Sequence, residues 1–432
     1  MTSIVFTSLF LGLVAGNQTV GVLVGGPAAA VEYRLDGKPL GRVETPPWEL
    51  RVEFGVDLSP HELVARALDR EGREVAVTRQ WLNLPREDAE TEVVLERNQK
   101  GRPVGARLSW QSILGSKPRA VSATFDGKPV TVDDSGRIEL PAHDPEKTHV
   151  LSARLEFPEG LRSRADIVLG GGSAEEAKTE LTAIAVRLGK GRELPPPERL
   201  RDWFIAGGRP LRIVAVEEEG GAVVIVRDSG HREASNALEG YRYAVPYAFR
   251  GPRFEMRLRD GIRARMLWPV AKHYKDPRIA SDLFESTRDF SESLHWILTR
   301  VYHSLGTVPQ QRFADATAVA GLVAFGSSSR RAVVLVLGTP ADASGYSPEA
   351  VRHYLATLGV PLHVWSLVDP ATRPELARWG PVADVSSVDR LRKAFLALRA
   401  DLRSQRVVWF EGKLLPQKIE LTEQATGVEL LR

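Results

Sequence analysis

Apolar and polar residues alternate along the first third of the chain. Leu50, Val52 and Phe54 are separated by Arg51 and Glu53, and other short segments nearby follow the same pattern. Successive side chains of a strand point to opposite faces, so such a segment buries its apolar set and exposes its charged set. The pattern predicts half-buried β-strands.

This β-rich region contains an internal repeat. The segment 61–66 reads His-Glu-Leu-Val-Ala-Arg, and 149–154 reads His-Val-Leu-Ser-Ala-Arg, an offset of 88 residues. An Asp-Gly pair between two apolar runs occurs at 35–40 and again at 125–130, and such a pair predicts a β-hairpin. Two copies of about 80 residues, rich in short strands and turns, predict two tandem β-sandwich modules.

The repeated histidines, His61 and His149, call for a structural explanation before a functional one. Each stands at the predicted start of a strand, at an equivalent corner of its module. An imidazole there can hydrogen-bond the neighbouring backbone. We therefore expect both to support the fold.

The pattern changes in the second half of the chain. The runs 223–226 and 333–337 are continuously apolar, as in parallel strands that are buried on both faces. Apolar residues recur at helical spacing in 294–305, 314–325 and 388–402. Alternating strands and helices predict a doubly wound α/β sheet, and such sheets bind ligands beyond the carboxyl ends of their strands.

Composition narrows the class of protein. A chain of 432 residues, with 43% hydrophobic and 26% charged residues, is typical of a folded multidomain protein. The net charge is +3, no long basic block occurs, and aromatic residues do not interleave with basic ones, which argues against nucleic-acid binding. The chain has no cysteine, which excludes disulfides, thiolate metal sites and a cysteine nucleophile.

The first residues are similar to a secretory signal. An apolar stretch from Leu9 to Ala15 is followed by small residues, which predicts cleavage after Ala15 or Gly16 and a secreted or periplasmic location. The usual basic residues before the apolar stretch are missing, and a buried first strand is the alternative. No other segment reaches about 18 consecutive apolar residues, so we expect no transmembrane segment.

The strand 223–226 leads into Asp228 and Ser229, and von Willebrand factor A (VWA) domains begin in this way. The order of elements over 211–410 also resembles that fold, and the preceding repeats resemble immunoglobulin-like modules, as in secreted VWA-related bacterial proteins. The resemblance implies two all-β immunoglobulin-like sandwiches followed by an α/β doubly wound, Rossmann-type domain. The predicted divisions are a signal peptide at 1–16, module 1 at 17–97, module 2 at 98–170, a linker with a short strand and helix at 171–210, the VWA-like domain at 211–410 and a C-terminal extension at 411–432.

The metal site of VWA domains is incomplete in this chain. The resemblance implies Asp-x-Ser-x-Ser after the first strand, a Thr before a middle helix and an Asp after the fourth strand, all oxygen ligands that suit Mg²⁺. Asp228 matches, but Gly230 and Arg232 replace the serines and Gln311 replaces the Thr. The cation of Arg232 would oppose a metal ion. The last Asp would fall near Thr339, so four of five positions fail. We therefore expect neither metal nor cofactor.

A nonstandard metal site remains the alternative, through a one-residue shift that uses Thr339, Asp342 or Ser344. Asp228 and Ser229 also have a simpler interpretation, in which short polar side chains cap a turn.

The sequence favours a non-enzymatic extracytoplasmic protein that binds another protein, whose identity the sequence does not give. A structural spacer or homo-oligomeric scaffold is the alternative, and a hydrolase with β-sandwich accessory modules is a weaker one. The hydrolase motif Gly-x-Ser-x-Gly, a His-Glu-x-x-His zinc motif and a Walker loop are all absent from the sequence. The expected ligand face consists of Asp228, Ser229, His231, Thr339 and Asp342.

Overall fold

The computed structural model describes residues 2–8, 10, 12–85, 89–98, 102–112, 117–157, 162–170, 181–189, 191–228, 256–271, 284–286, 311–338 and 341–432.

The alternating segments of the first third form two β-sandwiches. Module 1 packs a sheet of order β1-β2-β5 against one of order β4-β3-β6-β7. Its strands are β1 Ser3–Phe6, β2 Asn17–Gly25, β3 Ala30–Leu35, β4 Lys38–Val43, β5 Trp48–Glu53, β6 His61–Leu68 and β7 Glu74–Leu82.

Module 2 repeats this construction. It packs a sheet of order β12-β9-β8 against one of order β11-β10-β13-β14. Leu108, Phe125 and Leu151 are among the apolar side chains buried between the two sheets. Its strands are β8 Ala89–Arg97, β9 Pro103–Ser112, β10 Ala120–Phe125, β11 Lys128–Val130, β12 Arg137–Glu139, β13 His149–Glu156 and β14 Arg162–Leu169.

The repeated Asp-Gly and His residues form the same contact in both modules. Asp36 and Asp126 adopt positive φ angles of 51° and 50° in tight hairpin turns, a conformation that Asp tolerates better than most residues. His61 Nδ1 lies 2.7 Å from the Asp36 carboxylate, and His149 Nδ1 lies 2.7 Å from that of Asp126. Each histidine begins a strand, as expected, and ties it to the neighbouring hairpin through a carboxylate where a backbone partner was expected; His149 also contacts the Asp144 carbonyl, at 2.9 Å.

The segment with signal-like composition belongs to module 1. β1 pairs antiparallel with β2, from Ser3 opposite Gly25 to Phe6 opposite Val22. Phe6 and Val14 are buried in the module core. Within the first 16 residues, the described part supplies a strand and core side chains to module 1.

A third β unit is built from two distant parts of the chain, and we call it the central β unit. Its first part contains β15 Leu181–Leu188, β16 Phe204–Ala206, β17 Arg209–Pro210 and β18 Ile213–Glu217, with a 3₁₀ turn at Pro197–Leu200.

The chain then forms the α/β unit before it returns to the central β unit. All strands of its six-stranded sheet are parallel except β21, which is antiparallel to its neighbour at the sheet edge. The elements are β19 Gly221–Arg227, β20 Ile262–Ala271, β21 Phe284–Ser286, α1 Phe313–Gly326, β22 Arg330–Leu337, α2 Pro348–Thr357, β23 Leu362–Ser366, β24 Val382–Asp384 and α3 Val388–Ser404, with 3₁₀ turns at Pro370–Thr372 and Pro374–Trp379.

The order of this sheet, β21-β20-β19-β22-β23-β24, places β19 near the centre. If the six strands are renumbered along the chain with β19 as strand 1, their order in the sheet is 3-2-1-4-5-6, which many doubly wound sheets share. Helix α1 covers the predicted helix at 314–325, and α3 covers that at 388–402. The predicted helix at 294–305 lies outside the described residues.

The last strands complete the central β unit. They are β25 Gln405–Glu411, β26 Ile419–Leu421 and β27 Val428–Leu430, with a 3₁₀ turn at Pro416–Lys418. The strands expected at the two ends of the α/β domain, β18 and β25, are formed, but they pair with each other in the antiparallel sheet β18-β25-β15-β27. The segments expected to be a linker and a C-terminal extension therefore share one sheet.

Both modules pack against the rest of the chain. Leu58 of module 1 is fully buried in the core that contains α1 and α2, and the Tyr354 hydroxyl donates to the Asn83 carbonyl at 2.9 Å. Val150 of module 2 is buried with Trp409 of β25. The described chain is thus mostly β-sandwich with few helices, and no helix in it is long and apolar enough to cross a membrane.

Candidate functional site

Asp228 directly follows the central strand β19. The strands that come next in the chain, β20 and β21, lie on one side of β19, and the later strands lie on the other side. Ligands of α/β sheets bind at this reversal of strand order, beyond the carboxyl ends of the strands. Only 2% of Asp228 is exposed.

Hydrogen-bond donors surround the Asp228 carboxylate. The Gln311 side-chain amide donates to Oδ1 at 2.7 Å, and the Gly338 backbone N–H donates to Oδ2 at 3.1 Å. The Asp228 N–H in turn donates to the Val336 carbonyl at 2.9 Å. Gln311 is the residue that the sequence comparison placed at the threonine of the VWA metal site, and its side chain is here a hydrogen-bond donor. Buried carboxylates need such partners, and two of the donors to Asp228 are neutral amide groups.

Asp342 caps the start of α1. Its carboxylate accepts the backbone N–H of Phe313 at 2.8 Å and that of Ala314 at 3.1 Å. The Ser344 hydroxyl also donates to it and accepts the Asp315 N–H at 3.1 Å. The first N–H groups of a helix have no partner within the helix, and a negative charge there is stabilising. Both oxygens of Asp342 are therefore used in holding α1.

Asp315, in the first turn of α1, holds the loop that follows β22. This side chain is buried and accepts the N–H groups of Tyr346 at 3.0 Å and Gly345 at 3.1 Å, together with an ion pair from Arg312. Burial raises the pKa of the Tyr346 hydroxyl above its ordinary value, and the Asp315 charge raises it further. Sequence reasoning missed this role, because the two N–H groups that Asp315 accepts lie 30 and 31 residues further along the chain.

A groove of about 340 Å³ lies between the loop 341–348 and the turn 374–379, at the same end of the sheet. Buried apolar side chains form its floor, and exposed polar ones form its rim. Arg378 on the rim donates two hydrogen bonds to Glu349, at 2.9 and 3.0 Å, and they lower the pKa of the Glu349 carboxyl to about 2. The floor includes Phe313, Leu337, Leu376 and Trp379, and the rim includes Asp342, Glu375 and Arg378.

The structure brings two of the five expected ligand-face residues to one place. Gln311 binds Asp228 through its side chain, and its carbonyl accepts the N–H of Ala343, next to Asp342. Ser229, His231 and Thr339 lie outside the described residues. Within the part of the chain that is described, no group of three or more acidic or histidine side chains is placed to hold a metal ion.

Comparison with known proteins gives only partial structural similarities. No protein-family model and no curated protein matches the chain. Fibronectin(III)-like modules of CbhA from Clostridium thermocellum are 14% identical over 38% of this chain and 92% of theirs, with a TM-score of 0.17. Proximal thread matrix protein 1 from the mussel byssus is 16% identical over 45% of this chain and 49% of its own, with a TM-score of 0.28. A β-glycosidase from Bacteroides vulgatus is 12% identical over 38% of this chain and 24% of its own, with a TM-score of 0.20.

Proposed function

We propose that this chain is a non-enzymatic extracytoplasmic protein of the adhesion type, in which a metal-free VWA-like domain binds a partner protein. The strand order around β19, with its antiparallel edge strand β21, supports the VWA-like assignment. The hydrogen bond from Gln311 to Asp228 is the observation that carries the metal-free part, because it places a neutral donor on one oxygen of the carboxylate. The proposed extracytoplasmic location rests on the resemblance to secreted VWA-related proteins and not on cleavage of residues 1–16.

The groove is the binding site in this proposal. The surface that the groove presents is mostly polar, above a floor of buried apolar side chains, so the partner would be held mainly by hydrogen bonds and charge. Ser344 lies beside two acidic residues, but its hydroxyl donates to the Asp342 carboxylate and accepts the backbone N–H of Asp315. These contacts favour a structural role for Ser344 over that of a hydrolase nucleophile.

Divalent ions are expected to leave the stability of the full chain unchanged. In thermal unfolding, millimolar Mg²⁺ or Mn²⁺ should give no concentration-dependent shift, since an ion that binds only the folded state would raise the midpoint. The Asp228→Ala variant should lose about 2 kcal/mol with or without ions, because the donors from Gln311 and Gly338 lose their acceptor. A saturable ion-dependent shift that Asp228→Ala abolishes would instead establish a metal-dependent adhesion site.

Site-specific photocrosslinking tests partner binding in the cells that produce the chain. A benzophenone amino acid at Glu375, on the groove rim, should yield one discrete adduct with a second protein, whereas the same probe at exposed Glu423 should not. Excess wild-type chain should compete for the adduct, and excess Glu375→Lys chain should not. Equal adducts at both positions, or none at Glu375, would contradict a partner in the groove.

A rigid spacer or homo-oligomeric scaffold is the second candidate. Burial of Leu58 and Val150 at the contacts of the two modules favours it, since these contacts fix both modules on the rest of the chain. In the same crosslinking experiment, an adduct between two copies of this chain would support the scaffold.

A further inference from the structure

Module 2 docks on the central β unit through an apolar contact with a carboxyl group inside it. Val150 and Val168 of module 2 pack with Val214 of β18 and Trp409 of β25. Glu217, the last residue of β18, lies at this contact and is only 6% exposed. Apolar contacts of this kind favour docking, whereas a buried charge opposes it.

The Glu217 carboxyl is closely surrounded. Arg154, Arg164 and Asp166 of module 2 are the charged groups that act on it, and the Trp409 indole lies beside it. The hairpin turn of module 2 also approaches, since a Cβ atom built on Gly127 would lie 3.6 Å from the Glu217 carboxyl carbon.

The nearby cations have other partners. Arg164 donates to Asp166 at 2.8 Å, and its guanidinium lies 4.4 Å from the centre of the Trp409 ring. Arg154 donates to the carbonyl of Ser327. In the described part of the chain, Glu217 Oε1 is a buried oxygen without a hydrogen-bond partner. A neutral acid fits this environment better than a carboxylate, because an unpaired buried charge is far more costly than a buried neutral group.

We propose that Glu217 is a proton-controlled latch, which holds module 2 on the central β unit when it is protonated and releases module 2 when it ionises. Burial raises the pKa of the docked carboxyl from its ordinary 4.5 to about 7, against the opposing effects of Arg164, Trp409 and Arg154, while Asp166 raises it further. The pairs Glu218 with Arg406 and Glu219 with Lys128 lie in the same region of the chain, at more exposed positions.

The sign of the effect follows from the raised pKa. Between pH 4.5 and about 7, the docked form retains a proton that the released form loses. Docking is therefore complete below this window and weakens as the pH rises through it. The ratio of released to docked chains should rise by up to about tenfold per pH unit, and on the order of 100-fold across the window.

The absence of native cysteines allows a direct distance measurement on the full chain. Spin labels at Asp134→Cys in module 2 and Glu423→Cys in the central β unit, both exposed positions, report docking by double electron–electron resonance. At about pH 5 we expect one narrow distance distribution. At about pH 8.5 we expect a second, broader population of released chains.

Two matched variants decide whether Glu217 is responsible. Glu217→Gln keeps the shape and removes the titration, so its distribution should stay narrow at both pH values. Glu218→Gln changes an exposed carboxyl one residue away, whose partner Arg406 belongs to the central β unit itself, and should behave as the wild-type chain does. A wild-type distribution that does not change with pH, or a Glu217→Gln chain that still opens at high pH, would overturn the latch.

Discussion

A chain that lacks residues 1–16 is expected to lose about 5 kcal/mol of the free energy of unfolding of module 1. Burial of Phe6 and Val14 contributes about 1.5–3 kcal/mol for each side chain. The Asn83 side chain accepts the Val14 N–H at 2.6 Å and donates to the Val14 carbonyl at 3.0 Å, so truncation also removes two hydrogen bonds of a buried amide, which keeps its bond to the Ser59 carbonyl. Loss of β1 further exposes the edge of β2, which adds to the effect.

Urea unfolding of the full and truncated chains measures this loss. Asn83→Gly should reproduce part of it, about 2 kcal/mol, because it breaks the contacts with Val14, leaves the strand β1 in place and tolerates the positive φ of 56° at this position. Val5→Thr is the matched control, since Val5 lies in β1 but its side chain is exposed. An unchanged transition in the truncated chain, or a native protein whose first residue is Asn17, would contradict this account and favour a cleaved signal.

Local patterns predicted the repeated modules because their determinants are close in sequence. The Asp-Gly turn at Asp36 joins strands only two residues apart, and the same holds at Asp126. The central β unit escaped prediction because its pairs are remote, such as Val186 with Arg406. A periodic pattern identifies a strand but not its partner.

The sequence predicted only part of the candidate site, because several contacts of the site join residues that are remote along the chain. The continuous apolar run of β19 pointed to Asp228 at the carboxyl end of a buried strand, and Asp228 lies there. The hydrogen bond from Gln311 spans 83 residues, and Asp342 caps a helix that begins 29 residues before it. Spacing along the chain does not reveal such contacts, so Asp342 was interpreted as a ligand-face residue and its capping role was missed.

Asp315→Ala is expected to lower the free energy of unfolding of the α/β unit by about 3 kcal/mol. The substitution removes the acceptor of the Gly345 and Tyr346 N–H groups and the partner of Arg312. Each buried donor left without an acceptor costs about 1–3 kcal/mol, although relaxation of the loop reduces the sum. Asp315→Asn keeps the shape and one acceptor, so its loss should be about half as large.

Asp389→Ala separates this role from a general effect of helix charge. Asp389 also lies in a first helical turn, that of α3, but it is exposed. Its loss should cost no more than about 1 kcal/mol, the ordinary value of an acidic residue at a helix start. Hydrogen exchange should accelerate at Gly345 and Tyr346 in Asp315→Ala and stay unchanged in Asp389→Ala. Equal losses of stability in the two variants would mean that Asp315 acts only through the charge at the start of α1, and that the loop beside the groove does not depend on it.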